Sequence, residues 1–300
     1  MGAALEPSDG ALEPSLGVNA ALSWVTFAGR AGLAFVATTA VARVLGPSGR
    51  GEVTYVVNLV GLLVLVVTCG TAAALVRLRV QEGWTAPRMV TPVLRTSVLA
   101  GAILIAGAGV ALGFASNRTA VIVIAVTALP LVAIANLTQV ASLSDRLALV
   151  AWTSLAGIGL YAVFTIITAA LDVMTVTNNI VAWALTAVLP LPLMLLTGGL
   201  VVRNRSLPTD TRRLVRLSLH SNVAAAAVLA IWRADVVIVE ARRGFEELGL
   251  YSVAVGTAEI VVTLAIGLRS AVLPHQAVAE PERLIDVMCR VTRVAGLGVT

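Results

Sequence analysis

Charge is scarce in this sequence. Charged residues make up 12% of its 300 residues, whereas soluble proteins have about 25%. Lysine is absent, which excludes a phosphate-binding loop that ends in Lys. Only two cysteines are present, too few for a disulfide framework. A chain with so few charges has too little polar surface to fold as a soluble enzyme.

Long apolar runs take the place of the missing charges. Apolar residues reach 58%, and mean hydropathy is +0.95. A spanning helix needs about 20 apolar residues, and eight runs qualify: 17–44, 52–76, 92–115, 119–141, 147–170, 175–202, 217–240 and 250–274. A ninth run begins near Val294. The runs are apolar at odd and even positions alike, which excludes the alternating pattern of a transmembrane β-barrel. We therefore predict an all-α fold, a polytopic transmembrane helical bundle.

The charged segments divide this bundle into domains. Residues 1–16 carry acids and no base, so they do not resemble a secretory signal, and we expect a disordered tail. Residues 17–202 form a first six-helix lobe, 203–216 a basic linker, and 217–300 the start of a second lobe that is truncated in its ninth helix. Loops after an even number of spans carry thirteen arginines and the opposite loops carry five. The positive-inside rule then places the N-terminus in the cytoplasm and the chain in the cytoplasmic membrane.

The first two spans resemble the seventh and eighth. The segments VARVLGPSGRGEVTYVVNLVGLLVL and VEARRGFEELGLYSVAVGTAEIVVTL align when Gly51 is set on Gly249, an offset of 198 residues. Six spans separate the copies, so both enter the membrane in the same direction. This is a parallel repeat, an arrangement common in transporters, although two membrane hairpins also share composition by chance.

The same residues carry a family resemblance. The string ARVLGPSGRGEVTYVV, the later string WRADVVIVEARRGFEELGLYSVAVGTAEI and the AVLP that follows it resemble the polysaccharide flippases. These belong to the multidrug/oligosaccharidyl-lipid/polysaccharide exporter superfamily. The resemblance implies two six-helix lobes around a cavity, alternating access, and export of a glycan linked to polyprenyl pyrophosphate. Family members usually have twelve or more helices, so this chain is shorter than the pattern.

Ionisable residues within the spans are the first site candidates, because each costs about 3 kcal/mol at the bilayer centre unless it is paired or hydrated. Arg30 lies near the middle of its span, and we expect it to face a hydrated cavity or to form a structural pair. Arg233 and Glu259 are at similar depth on adjacent helices, which predicts an ion pair. Asp235 is then left for the cavity or for an inward basic partner. A guanidinium suits a pyrophosphate headgroup, since it donates fork-like bonds to phosphate oxygens.

Polar and aromatic residues add weaker candidates. Asn58 and Asn136 either line a sugar-binding cavity or bond between helices. Trp84 lies near a predicted membrane interface and fits an aromatic belt.

The sequence therefore predicts a transporter of a lipid-linked oligosaccharide. Its substrate-binding candidates are Arg30, Arg233, Asp235, Glu259, Asn58 and Asn136. We expect no catalytic residue, no metal and no cofactor. The expected partners are a polyprenyl-pyrophosphate-linked glycan, membrane lipid and other polysaccharide-assembly proteins; nucleic acid is disfavoured. A drug or lipid II exporter of the same superfamily remains an alternative, as does a non-catalytic component of polysaccharide assembly. A polymerase or ligase would need a larger outer loop than this chain has.

Overall fold

A computed structural model describes the backbone of residues 12–111, 118–144, 146–197 and 208–276. Within these ranges the side chains of residues 12–24, 222–233 and 259–276 are not described, nor are those at 69, 111, 119, 120, 147, 197 and 208. The predicted ninth span lies outside the described residues. The described residues form seven helices and no strand, which confirms the predicted all-α bundle.

The first helix, α1 (Leu12–Glu82), contains the first two predicted spans as a hairpin. Its two arms, residues 12–45 and 47–82, meet at Gly46, whose φ of 68° and ψ of −176° break the helix. Glycine has no β-carbon and adopts this positive φ without strain, and Pro47 has the φ needed at a first helical position. Arg50 Nη1 donates to the carbonyl of Thr38. Twelve residues of straight helix span about 18 Å, so this bond requires the chain to reverse.

The last helix, α7 (Pro208–Gln276), repeats this hairpin. Its arms, residues 208–243 and 245–276, meet at Gly244, whose φ of 81° and ψ of −177° almost equal those of Gly46. Tyr251 and Asp235, 16 residues apart, are joined by a hydrogen bond, which again requires a reversal. The two glycines are 198 residues apart, the offset that the sequence alignment predicted.

The helices between the hairpins complete the first lobe. They are α2 (Ala86–Ala111), α3 (Arg118–Ser142), α4 (Leu147–Ala170), α5 (Val176–Val188) and α6 (Pro190–Thr197). The third to fifth predicted spans coincide with α2, α3 and α4, and the sixth is divided into α5 and α6 at Leu189–Pro190. Proline lacks an amide hydrogen and interrupts the ladder of helical hydrogen bonds there.

These helices run alternately between two ends of the lobe. The turn end contains Gly46 and Gly244, and the linker end contains Glu82 and Pro208. Each end has its own core. At the turn end Val41, Val53, Val56, Ala108 and Ile180 are buried together. The linker-end core contains Leu75, Leu78, Trp84, Met89, Val93, Leu137, Met194 and Leu214.

Two of the predicted domain limits fall inside helices of the structure. Helix α1 begins at Leu12, inside the predicted tail 1–16, and residues 1–11 lie outside the described part of the chain. Residues 208–216 of the predicted linker form the first turns of α7. Leu214 in these turns is completely buried in the linker-end core. The start of α7 therefore packs on the first lobe.

Candidate functional site

Arg30 lies on the first arm of α1, on the side that faces other helices. Thr26, Ala37 and Val41 are four residues before, seven after and eleven after Arg30, so all four share one face of the helix. The other three are buried, with 5%, 0% and 2% of their surface exposed. Gly29 faces α4, where an added β-carbon would lie 3.2 Å from Leu155 Cδ2. Arg30 thus points into the protein and not toward lipid.

The Arg30 side chain is nevertheless exposed. Its side chain thus stays accessible on a helix face whose other residues are buried. It makes no hydrogen bond and no ion pair with the described residues. Arg30 is 16 residues from Gly46, or about 24 Å along the helix at about 1.5 Å per residue. Among the described residues this donor-rich cation therefore has no partner, near the middle of its span, where a charge requires water or an anion.

Asp235 lies closer to the turn end, on the first arm of α7. Its Oδ2 accepts a 2.6 Å hydrogen bond from the Tyr251 hydroxyl, and its Oδ1 accepts one from the amide of Val236. The carboxylate is partly buried. The sequence left Asp235 either for the cavity or for an inward basic partner; its described side-chain partner is a phenol of the same hairpin, and this bond joins the two arms of α7.

The predicted ion pair between Arg233 and Glu259 lies outside the described residues, because neither side chain is described. Both positions belong to α7, on opposite arms of its hairpin.

The two asparagine candidates bond to neighbouring helical groups. Asn58 Nδ2 donates to the carbonyl of Thr54 one turn earlier. Asn136 is 2% exposed, and its Nδ2 donates to Ser97 Oγ at 3.0 Å across the α2–α3 contact. Asn136 Oδ1 is buried without a hydrogen-bond partner. These contacts match the interhelical alternative that the sequence left open for Asn136.

An ion-pair cluster at the linker end was not predicted. Arg88 donates from Nε to Asp210 Oδ2 at 3.1 Å and from Nη2 to Oδ1 at 2.9 Å. A second ion pair joins Arg213 Nη2 to Glu82 Oε1 at 2.7 Å. Both pairs connect the start of α7 to the first lobe. We call these four residues the linker clamp.

Trp84 contacts two residues of the linker clamp, Arg88 and Glu82. Gly83, with a φ of 64°, ends α1 in a left-handed turn, and the amide of Trp84 donates to the carbonyl of Leu78. The ring then lies 4.6 Å from the guanidinium of Arg88, and its Nε1 donates to Glu82 Oε2 at 3.2 Å. Trp84 is 1% exposed. The expectation that it belongs to an interfacial aromatic belt was therefore wrong, because the helix-ending turn directs the ring into the core.

One sequence signal pointed to this cluster. In the segment RNRSLPTDTRRLVR, Asp210 is the single acid among five arginines, at residues 203, 205, 212, 213 and 216. An isolated acid in a basic segment is a candidate for a specific ion pair. Its partner, Arg88, is not identifiable from the sequence, because 122 residues separate the two.

The comparisons with known proteins agree with this architecture. The family model described as "Polysaccharide biosynthesis protein" matches residues 18–277, which is most of the chain. The chain belongs to this family. The matched range contains both hairpin turns and the linker clamp, and it confirms the predicted resemblance to a polysaccharide-related membrane protein.

A solved structure of a protein named only "protein A" has the same fold. It superposes with a TM-score of 0.69 and 14% sequence identity, covering 98% of this chain and 73% of its own. At this identity the likeness concerns the fold alone. No curated protein matches the sequence. In the part of the chain that the structure describes, five helical segments are long and apolar enough to cross a membrane, by length and composition. One of these is Val25–Glu82, which holds both arms of the first hairpin.

Proposed function

We propose that this polysaccharide biosynthesis family protein is a transporter that moves a lipid-linked oligosaccharide across the cytoplasmic membrane by alternating access. The observation that carries the proposal is Arg30, an exposed guanidinium near the middle of its span that makes no hydrogen bond and no ion pair with the described residues. Family membership supports a role in polysaccharide assembly. The cytoplasmic position of the N-terminus remains part of this proposal, and it rests on the arginine distribution.

The chemistry of Arg30 suits a pyrophosphate. Its planar guanidinium donates two parallel hydrogen bonds to phosphate oxygens, and its charge offsets that of the anion. A polyprenyl-pyrophosphate-linked glycan has this group at the junction between its sugar and its lipid tail. With the pyrophosphate on Arg30, the polyprenyl tail stays in the hydrocarbon and the glycan occupies the cleft.

The repeated hairpins suit alternating access. Two structural repeats in parallel orientation commonly rock against each other around a binding site near the bilayer midplane. In this chain the hairpins α1 and α7 share the kink geometry at Gly46 and Gly244 and pack extensively against each other. Arg30 lies on one of these hairpins, so relative movement of the pair changes the side from which its cleft is reached.

The test is export of lipid-linked oligosaccharide from the inner leaflet by cells that depend on this protein. We expect Arg30→Ala to lose most export at normal protein level, and Arg30→Lys to retain only part of it, because a Lys cannot form the two-bond fork. Arg43→Ala is the matched control, since Arg43 is an exposed arginine on the same arm. Unchanged export by Arg30→Ala would remove Arg30 from the proposed mechanism.

Purified protein provides a second measurement. Polyprenyl pyrophosphate should bind the parent protein and the Arg43→Ala variant equally. Loss of charge-assisted hydrogen bonds worth about 1.5–3 kcal/mol should weaken its binding to Arg30→Ala by about tenfold to a hundredfold.

A further inference from the structure

Arg95 lies on an exposed, apolar side of α2. Val98, Leu99 and Ile103 are three, four and eight residues after it, on the same side of the helix, and they are 55%, 54% and 59% exposed. An exposed apolar strip on a spanning helix faces lipid. The Arg95 side chain is exposed too, and it makes no hydrogen bond and no ion pair with the described residues. An arginine on such a strip requires an anion or water, since ionisable residues in spans usually face the protein interior.

The depth of Arg95 places it at the edge of the hydrocarbon. The sequence carries no charge from Thr96 to Asn117, and the predicted apolar run ends at residue 115. As a helix, the twenty residues 96–115 would span about 30 Å at about 1.5 Å per residue, which equals the thickness of a bilayer core. Arg95 therefore lies where the hydrocarbon begins at the linker end. Its long side chain brings the guanidinium to the layer of lipid headgroups.

A second arginine lies at the same depth on α7. The Arg88–Asp210 pair sets α2 and α7 level with each other at the linker end, where both helices begin. Arg95 is seven residues beyond Arg88, and Arg216 is six residues beyond Asp210. Arg216 is also exposed, and its guanidinium makes no bond with the described residues. Two neighbouring helices thus present guanidinium groups at one level.

The space between these two helices is open at that level. Residues seven apart lie on the same side of a helix, so Arg88 and Arg95 are both on the side of α2 that meets α7 at Asp210. The strip is covered at Arg88, which Asp210 binds in two-point fashion, and it is exposed at Arg95 and Leu99. The helices α2 and α7 therefore diverge beyond the linker clamp, which closes one end of the opening between them.

We propose that Arg95 and Arg216 hold the phosphate of an anionic phospholipid in this opening, with its acyl chains along Val98, Leu99 and Ile103. A guanidinium donates fork-like hydrogen bonds to phosphate oxygens. Basic pockets between spanning helices bind lipid headgroups in this way. The inference goes beyond the proposed transport function, since this phospholipid is a bound membrane component and not the cargo.

The charges at the linker end favour an anionic headgroup over a zwitterionic one. Glu82 and Asp210 are both held in the linker clamp by arginines. Among the described side chains at this end, no other carboxylate is present to bind the amine of a zwitterionic lipid. Exposed arginines at residues 77, 146 and 212 add to the positive charge. A lipid with a net negative charge is therefore the one that this surface fits.

Lipid binding to the purified full chain tests the site. Phosphatidylglycerol and phosphatidylcholine are titrated separately into the protein in detergent, and native mass spectrometry counts the bound lipids. The parent should bind its first phosphatidylglycerol several-fold more tightly than its first phosphatidylcholine. Arg95→Ala should weaken the first phosphatidylglycerol binding by about tenfold, because charge-assisted hydrogen bonds are lost. Arg95→Lys should weaken it less, and Arg216→Ala keeps the test decisive should Arg95→Ala fail to fold.

Arg77→Ala is the matched control, since Arg77 is an exposed arginine at the same end whose guanidinium is bonded to Gln81. It removes the same charge and should leave the first phosphatidylglycerol binding close to that of the parent. Equal weakening by Arg77→Ala and Arg95→Ala would reveal diffuse attraction to a basic surface and would overturn the site. Equal affinity of the parent for the two phospholipids would overturn it as well.

Competition distinguishes a phospholipid from other sources of phosphate. Inorganic pyrophosphate should not displace phosphatidylglycerol at equal concentration, because it has no acyl chains to pack on α2. Polyprenyl pyrophosphate should bind Arg95→Ala as it binds the parent, because the transport proposal assigns it to Arg30. Displacement by inorganic pyrophosphate, or loss of polyprenyl pyrophosphate binding in Arg95→Ala, would overturn the assignment to a phospholipid. Export by the Arg30 variants is measured separately, so the transport proposal can fail while the phospholipid site stands.

Discussion

Arg88 and Asp210 form a two-point ion pair across 122 residues of sequence, with hydrogen bonds of 3.1 and 2.9 Å. The Asp210 side chain is 5% exposed and that of Arg88 is 38% exposed. Hydrogen bonds between charged groups are stronger than neutral ones, and the forked geometry fixes the two partners in one orientation. The pair therefore sets where the chain enters its second hairpin.

Arg88→Ala should lower the stability of the protein. It removes two hydrogen bonds from a buried carboxylate and the cation–π contact with Trp84. Since Arg88 is partly exposed, we expect a loss of about 1–3 kcal/mol in the free energy of unfolding. Thermal unfolding of the purified protein in detergent measures the change. Arg77→Ala is the control, because Arg77 is exposed and bonds to Gln81 one turn away. Equal Tm values for the two variants would contradict a stabilising role for the pair.

Gly101→Ala should separate α2 from α3. A β-carbon there would lie 2.8 Å from the α-carbon of Leu129, and a backbone atom cannot move aside as a side-chain tip does. Overpacking of this kind costs about 1–3 kcal/mol, which outweighs the gain in helix propensity. Gly107→Ala on the same helix has no atom within 4 Å of its new β-carbon and should be neutral or slightly stabilising. A Tm for Gly101→Ala at or above that of Gly107→Ala would show that α2 and α3 are less closely packed than the 2.8 Å distance to Leu129 indicates.

The helices were largely predictable from the sequence because hydropathy alone determines them. Apolar runs predicted α2, α3 and α4 to within a few residues at most boundaries. The repeat was also detectable, since Gly46 and Gly244 occupy the same position in two similar strings. The contact between Gly51 and Gly249 was not predictable, because the alignment shows that two segments are alike and not that they touch. Predicting that the two segments touch requires knowing how the whole bundle packs.

The candidate site was predictable in part for the same reason. An arginine in the middle of a span is costly in hydrocarbon, so the sequence alone makes Arg30 a candidate. Which groups surround it depends on the helix face that each neighbour presents. The partner of Asp235 is Tyr251. The hydropathy of Tyr251 does not identify it as a partner, because only the hairpin geometry brings the two residues together.

The proposed cytoplasmic N-terminus requires the turn end to face outward, which direct labelling tests. Ser48 and Glu246 are exposed in the two turns, and Gln81 is exposed at the linker end. In a protein without its native cysteines, Ser48→Cys and Glu246→Cys should react with an impermeant maleimide in intact cells. Gln81→Cys should react only after the membrane is permeabilised. The reverse pattern would show that the arginine distribution had been assigned to the wrong sides, and the proposed cytoplasmic position of the N-terminus would then be wrong.

The hydrogen bond between Tyr251 and Asp235 should hold the arms of α7 together. Tyr251→Phe keeps the ring and removes the donor from a 2.6 Å bond to a partly buried carboxylate, which should cost about 1–3 kcal/mol of unfolding free energy. Asp235→Asn keeps an acceptor and should cost less. Because the two groups contact each other directly, the double variant should lose less stability than the sum of the single variants, with a coupling of about 0.5–3 kcal/mol.

Tyr55→Phe is the control, since the Tyr55 hydroxyl makes no hydrogen bond with the described residues, although its ring packs on Phe245. Additive losses for Tyr251→Phe and Asp235→Asn would mean that the two side chains are separated in the membrane, and Asp235 would then be available to the cleft as the sequence first suggested.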